Sequence, residues 1–251
     1  MRNRLAALTV LAAVLAVALP RLAPTARAAD RCGATDAVGV AGGRYIVQNN
    51  LWGASTPQCM SVDGTSFSVT SSGHHNATNG APASYPSVYR GCHWGTCSSG
   101  SGLPLRVGGI TSATSSWSTT QPAAGAYDVA YDIWFNTQPT TGGQPDGAEL
   151  MIWLNSRGGV QPAGSVVAGN VPLAGATWNV WFSRPGWNYV AFVRTSGTTA
   201  VRGLDLRAFM ADAVRRGYLQ TAWYLLDVEA GFEIWQGGNG LATNSFSASV
   251  S

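Results

Sequence analysis

The chain has 251 residues; only 11% are charged, and lysine is absent. Four of its fifteen arginines (Arg2, Arg4, Arg21 and Arg27) precede the first acid, Asp30, so the chain from Asp30 onward carries eleven basic groups against twelve acidic ones, a net of −1. That balance excludes a cationic surface for nucleic acid or anionic lipid and favours an uncharged partner.

The first 28 residues read as a secretory signal peptide. Arg2 and Arg4 are followed by an apolar run from Leu5 to Leu19 and then by the small-residue pattern Ala26-Arg27-Ala28. The apolar run is short for a bilayer span, which needs roughly 20 residues. Cleavage is expected after Ala28 or Ala29, giving a secreted, extracellular protein with no membrane attachment. Residues 30–251 have the length of one large domain.

Along that domain, short runs rich in aromatic and β-branched residues alternate with Gly/Pro/Ser/Thr turns, the pattern of strands. The clearest are Arg44–Asn50, Ser87–Trp94, Tyr127–Asn136, Ala148–Asn155, Thr177–Ser183, Asn188–Thr195, Thr221–Glu229 and Phe232–Gln236. Ser112–Ser118 and Thr137–Gly143 read as polar loops, and His74-His75 as an exposed loop pair. One segment has helical spacing: Leu206, Phe209, Met210, Ala213 and Val214 follow an N-cap at Asp205, with Arg215-Arg216 at the end and Gly217 at the C′ position. The helix is expected to pack on the outside of a sheet. The whole is all-β, a two-sheet antiparallel sandwich of the jelly-roll type with one α-helix.

Cys32, Cys59, Cys92 and Cys97 make an even count, which in an exported chain points to two disulfides. Three pairings exist. Cys92–Cys97 is the natural local clasp, which leaves Cys32–Cys59 to hold the N-terminal end. The spacings fit zinc patterns poorly, there is no His-Glu-x-x-His run and no Gly-x-Ser-x-Gly elbow. No metal and no cofactor is expected.

Glutamate occurs only at positions 149, 229 and 233. On the strand Glu149-Leu-Met-Ile-Trp-Leu154, alternation sends Leu150, Ile152 and Leu154 to one face and Glu149, Met151 and Trp153 to the other. An acid beside a thioether and an indole is unusual for a solvated face. Glu233 likewise sits in an apolar setting, two residues before Trp235, where desolvation raises a carboxyl's pKa and keeps it protonated, as a general acid requires. Glu229 has the same parity, so alternation leaves the choice between the two open, and Ala230-Gly231 is a possible bulge that resets the register. Asp132 lies on Tyr127–Phe135 and neighbours Glu149 if the two strands are adjacent. A carboxylate pair with many tryptophans (Trp52, Trp94, Trp134, Trp153, Trp235) suits glycoside hydrolysis, with indole faces against pyranose rings.

The runs GAELMIWLN around Glu149 and EAGFEIWQGG around Glu233 resemble the two active-site segments of glycoside hydrolase family 12. VQNNLWG at Val47–Gly53, SVYRGCHWGTC at Ser87–Cys97 and YDVAYDIWF at Tyr127–Phe135 extend the resemblance over the domain. It implies a β-jelly roll with a long concave cleft and a retaining endo-β-1,4-glucanase. By the same resemblance Glu149 is the nucleophile, Glu233 the acid/base and Asp132 the acid that assists the nucleophile; Glu229 is not at a catalytic position. Asn50 and Trp52 match cleft residues for glucosyl units, His93 and Trp94 a further binding pair, and Met151 sits beside the nucleophile, with Trp153 and Trp235 as further binding candidates. Retention requires carboxyls about 5–5.5 Å apart. The expected partner is a β-1,4-glucan and the expected state a monomer. A jelly-roll xylanase or xyloglucanase, and a non-catalytic glucan-binding lectin, are the rival readings.

Overall fold

The computed structural model describes residues 30–251. The signal peptide expected at residues 1–28 lies outside them. Among the described residues no helix is long and apolar enough to cross a membrane.

Two sheets face one another. The main path of the larger runs Ala37–Val40, Tyr45–Gln48, Ser87–His93, Asp227–Gly231, Ala126–Asn136, Ala148–Arg157, Asn188–Arg194, Ala176–Ser183 and Ser165–Leu173. The smaller runs Ala200–Asp205, Ala113–Thr120, Ala242–Val250, Ser66–Ser72 and Gln58–Asp63. This is the jelly-roll sandwich expected, with one departure: Ala148–Arg157 and Asn188–Arg194 pair in parallel. Ser165–Leu173, Ala176–Ser183 and Asn188–Arg194 form an antiparallel meander, and its last strand docks back on Ala148–Arg157 in the same direction.

Alternation builds the core. Val129, Tyr131, Ile133 and Phe135 of one central strand and Leu150, Ile152 and Leu154 of the next point between the sheets, with Phe67, Trp117 and Phe246 of the smaller sheet opposite. The odd members of the second strand, Met151 and Trp153, join a separate apolar cluster on the outward face with Tyr189, Ala191 and Trp235. One strand of alternating parity therefore supplies both the core and the floor of whatever lies outside it.

Several sequence expectations are corrected. Ser112–Ser118 is not a loop: Ala113–Thr120 is a strand in the middle of the smaller sheet, burying Ala113, Ser115, Trp117 and Thr119. Its serines and threonines hide the apolar signal, yet they are satisfied inside; the Ser115 hydroxyl donates to the Ser247 carbonyl at 2.7 Å and lies 3.0 Å from the Tyr131 hydroxyl. His74-His75 is not an exposed loop pair. It forms a short strand against Gln236-Gly237, and His74 is buried with Nε2 3.0 Å from Gln58 Oε1, while His75 is exposed. Thr221–Glu229 is broken, its halves being Tyr224–Leu225 and Asp227–Gly231. The strands at Gln58–Asp63, Ser66–Ser72, Ser165–Leu173 and Ala242–Val250, the second and last of them serine-rich, are further elements that the sequence reading did not single out.

The helix is Leu206–Arg215, with Asp205 Oδ1 accepting from the Arg207 N–H at 3.0 Å and Gly217 at φ 77° after it. That is the predicted cap at each end. Its position differs from expectation: it does not lie on an outer face. Phe209 meets Trp178 and Phe192 edge-on, at 5.0 and 5.1 Å between ring centroids, so the buried face of the helix belongs to the inter-sheet core.

Both disulfides are formed, Cys32–Cys59 and Cys92–Cys97. The second closes a two-residue hairpin turn in which Trp94 and Gly95 both have positive φ, 44° and 87°. Such turns match the twist of the flanking strands but normally avoid bulky residues. Here the turn thrusts the half-exposed Trp94 ring over the outward face of the larger sheet.

Candidate active site

That outward face carries a cleft of about 620 Å³. The register of the central strands decides what lines it. Ala126–Asn136 sets Asp132 opposite Met151 and Trp134 opposite Glu149 on one side, and Asp132 opposite Glu229 on the other. The pairing runs in step from Ala130↔Gly231 to Tyr127↔Ile234, across Phe232 and Glu233, which lie outside regular strand. Parity is thus kept from Asp227 to Trp235: Phe232 and Ile234 go to the core and Glu233 to the cleft. No bulge at Ala230-Gly231 resets it. Gly231 serves a close approach instead, since a Cβ there would stand 2.5 Å from the Pro86 carbonyl oxygen.

Geometry also separates the two glutamates that alternation left equal. Glu229 is fully buried; its Oε1 accepts from Gln48 Nε2 at 2.7 Å and from the Ser87 hydroxyl, and its Oε2 lies 3.0 Å from His93 Nδ1. Glu233 is only partly buried and opens on the cleft. Glu229 is a structural acid beneath the floor.

Glu149, Glu233 and Asp132 line one cavity together with Asn50, Trp52, His93, Trp94 and Trp134. Trp52 is the most open of these aromatics, 57% exposed. Three of the proposed binding residues are not in the lining. Met151, Trp153 and Trp235 have the right parity but lie sealed in the apolar layer under the cleft. The Met151 sulfur accepts from Tyr189 Oη at 3.2 Å and Trp153 Nε1 at 3.5 Å, and Trp235 Nε1 donates to the Gly80 carbonyl at 2.7 Å. These rings support the floor and present no face to a ligand.

Tyr85, Gln144 and Trp187 also line the cleft, and no sequence signal singled them out. Trp187 sits in the turn between Ala176–Ser183 and Asn188–Arg194, and its Nε1 donates to Glu149 Oε2 at 2.7 Å. Trp134 Nε1 donates to Asp132 Oδ2 at 2.9 Å, and the two indoles pack together at 5.6 Å between centroids. A further acid, Asp128, lies fully buried beside Glu233. It has the parity of Asp132, four residues away, and that spacing was the available signal.

The electrostatics divide the pair. Burial pushes the Glu149 carboxyl up to about 8, the Trp187 N–H draws it back, and the charge of Glu233 raises it. Burial also raises Glu233, well above the usual range; there the neighbour is the Asp128 carboxyl, whose charge and hydrogen bond push it further. Glu149 thus has a donor that favours its anion, and Glu233 has a second acid that favours its protonated form. Burial, followed by the charge of Glu149, raises Asp132 well above the usual carboxylate range as well.

Among the described residues, His93, Asp227 and Glu229 bring potential metal-ligating atoms within 4.8 Å of one another. Within the cluster Glu229 Oε2 faces His93 Nδ1 at 3.0 Å, while Glu229 Oε1 takes its donors from Gln48 and Ser87, and Asp227 Oδ1 accepts from the Trp134 N–H at 3.2 Å. The cluster reads as a hydrogen-bonded floor.

A jelly-roll cleft with two partly buried glutamates, one bonded by an indole N–H that favours its anion and the other beside a carboxyl that favours its acid, under a wall of indoles, defines a carboxylate-pair glycoside hydrolase. The family model described as Glycosyl hydrolase family 12 matches residues 43–251, and the chain belongs to that family. The structure is similar to that of endoglucanase cel12A from Rhodothermus marinus, with a TM-score of 0.86 and 51% identity over 89% of this chain and 99% of that one. In sequence it is 32% identical to Endoglucanase S of Pectobacterium parmentieri over 86% of this chain and 85% of that protein. It is 34% identical to the xyloglucan-specific endo-beta-1,4-glucanase A of Emericella nidulans over 95% of this chain and 99% of that protein.

Proposed function

We propose that this glycoside hydrolase is an endo-β-1,4-glucanase that cuts internal bonds of cellulose-type glucans with retention of configuration. Glu149 is the nucleophile, Glu233 the acid/base and Asp132 the acid that assists the nucleophile. The observation that carries the reading is the unequal setting of the two glutamates: an indole N–H on Glu149 and a carboxyl on Glu233. In the resting site the first proton lost by the pair therefore leaves Glu149. Glu149 attacks the anomeric carbon while Glu233 gives its proton to the departing oxygen; water, deprotonated by Glu233, then cleaves the glycosyl ester. Asn50 and Trp52 hold glucosyl units at one end, and His93 and Trp94 supply a further contact.

Membership in a hydrolase family sets aside the lectin reading. Xyloglucan is the second substrate to weigh, because the Emericella nidulans relative that spans 95% of this chain is xyloglucan-specific by name. The protein acts outside the cell as a monomer: the leader pattern at residues 1–28 and two disulfides support export.

The test is hydrolysis of carboxymethyl cellulose, barley β-glucan, xyloglucan and xylan by the wild type, Glu149→Gln and Glu233→Gln, with product anomers followed by NMR. Glucan cleavage lost in both variants, with the β-anomer formed first, supports the assignment. Inverted product, or activity that survives Glu149→Gln, refutes it.

A further inference from the structure

Each cleft glutamate has an aspartate of the Ala126–Asn136 strand beside it. Asp132 neighbours Glu149; the acid beside Glu233 is Asp128. In-step pairing from Ala130↔Gly231 to Tyr127↔Ile234 sets Asp128 across from Glu233. The Asp128 N–H donates to the Glu233 carbonyl at 3.0 Å, as an antiparallel ladder requires. The return bond is different: the Glu233 N–H donates to the Asp128 side chain, Oδ1, at 3.1 Å. The aspartate carboxyl takes the place of its own backbone carbonyl and is fixed against the residue that carries the acid.

Asp128 is fully buried, and its other oxygen, Oδ2, meets no N–H or hydroxyl donor. A buried carboxylate oxygen without a donor is costly. The register sets the Glu233 carboxyl beside it, and two carboxyls can hydrogen-bond to each other only when a proton sits between them.

We propose that Asp128 is a positioning residue for Glu233: the two carboxyls share one proton, which keeps Glu233 loaded as the acid and aims its O–H. This rests on the reading of Glu233 as the acid/base. The groups facing the pair are Asp132 on the same strand, Glu149 on the neighbouring strand and the phenols of Tyr85 and Tyr189. All are acids or neutral, so none stabilises a dianion in the resting site. Burial raises Asp128 to about 7, and its bonds with Glu233 work against that rise, as expected for two groups dividing one proton.

The balance closes through the reaction. Before attack, Glu149 is ionised and the Asp128–Glu233 pair holds one proton. Attack turns Glu149 into a neutral ester, and the shared proton leaves on the departing sugar oxygen, so Asp128 and Glu233 are both ionised. The site carries two negative charges before and after. Water then gives its proton to Glu233 as its oxygen cleaves the ester, which restores the starting state.

The test uses the full chain with carbon-13-labelled carboxyls. In the wild type the Asp128 and Glu233 signals should each show the same two titration steps. In Asp128→Asn, Glu233 should titrate in one step, lower by about one unit or more, a tenfold change in its proton affinity, because the amide donates to its anion and a like charge is gone. Hydrolysis of an unactivated cello-oligosaccharide at neutral pH should then fall about tenfold, while cleavage of a dinitrophenyl cellobioside, whose leaving group departs without a proton, should hold. Equal losses on both substrates with the Glu233 titration unmoved would mean a merely structural role and overturn the proposal. If Asp128→Asn does not fold, the wild-type titration decides: independent single steps for the two carboxyls overturn it. A Glu233→Gln variant run alongside separates the two failures. If it still cleaves the unactivated substrate, the acid/base assignment has failed and the proposal with it. If it is inactive there and Asp128→Asn changes nothing, only the proposal has failed.

Discussion

The indole Nε1 of Trp187 stands 2.7 Å from Oε2 of Glu149 and donates to it across the end of the cleft. The contact joins a turn residue to a strand residue 38 positions away, and it is the one feature that favours the anion of a carboxyl otherwise raised by burial. A hydrogen bond to a charged group contributes about 1.5–3 kcal/mol. Trp187→Phe keeps the ring against Trp134 and removes the donor. It should lower kcat/KM by about 10- to 100-fold and move the acid limb of the pH profile upward, since ionising Glu149 becomes harder. A pH series of kcat/KM reads both; an acid limb that stays in place refutes the role.

Glu233→Gln removes the acid from a reaction whose unactivated leaving group needs a proton. General acid catalysis contributes about 10²- to 10⁴-fold, and the loss should fall in that range for glucan. It should be much smaller for an aryl glycoside with a good leaving group, a contrast that steady-state rates on the two substrates measure.

Trp52 is 57% exposed at the cleft and its indole N–H donates to no group of the chain, the disposition of a sugar platform. Trp52→Ala should raise KM about tenfold, from roughly 1–1.5 kcal/mol of lost ring contact, with kcat little changed, because the contact is made equally in the ground and transition states. A fall in kcat at constant KM would place Trp52 in the chemistry instead.

The acids under the cleft give stability an unusual pH dependence. Asp128, Asp132 and Asp227 all have folded-state values raised above the ordinary range near 4, chiefly by burial. Above pH 4 the unfolded chain has released these protons and the folded chain still holds them. The folded state therefore binds more protons, and stability falls as pH rises. The window runs from about 4 to at least 7, the value to which Asp128 is pushed. Melting followed by circular dichroism should show Tm decreasing by about 5–15 °C between pH 5 and 8. A Tm that rises over that interval contradicts the assignment of buried, protonated acids.

The Cys32–Cys59 bridge closes a separation of 27 residues and ties the start of the described chain to an edge strand of the smaller sheet. Replacing both cysteines by alanine should cost about 3 kcal/mol, or roughly 6–12 °C in Tm for a domain of this size. Calorimetry of the double variant measures it, and an unchanged Tm would show that the loop is already constrained without the bond.

Much of this protein is legible in its sequence because strand alternation acts locally. The parity of Glu149 against Leu150, Ile152 and Leu154, the capped helix at Asp205–Gly217, and the carboxylates set among indoles all follow from the chain's own periodicity. Strands built from serine, threonine and glycine were lost for the opposite reason: in Ala113–Thr120 the contrast between faces is too small to read, and burial is made possible by partners such as Tyr131 and Ser247 on other strands. Alternation also left Glu229 and Glu233 equal, and it placed Met151, Trp153 and Trp235 on the cleft side without revealing that other side chains cover them. Only the tertiary register decided those points. It sets Asp128 across from Glu233, brings Trp187 to Glu149 from a distant turn, and buries Glu229 among Gln48, Ser87 and His93. A strand's period fixes which face a side chain takes; what waits on that face depends on neighbours far along the chain, and that is where the pKa values of the site are set.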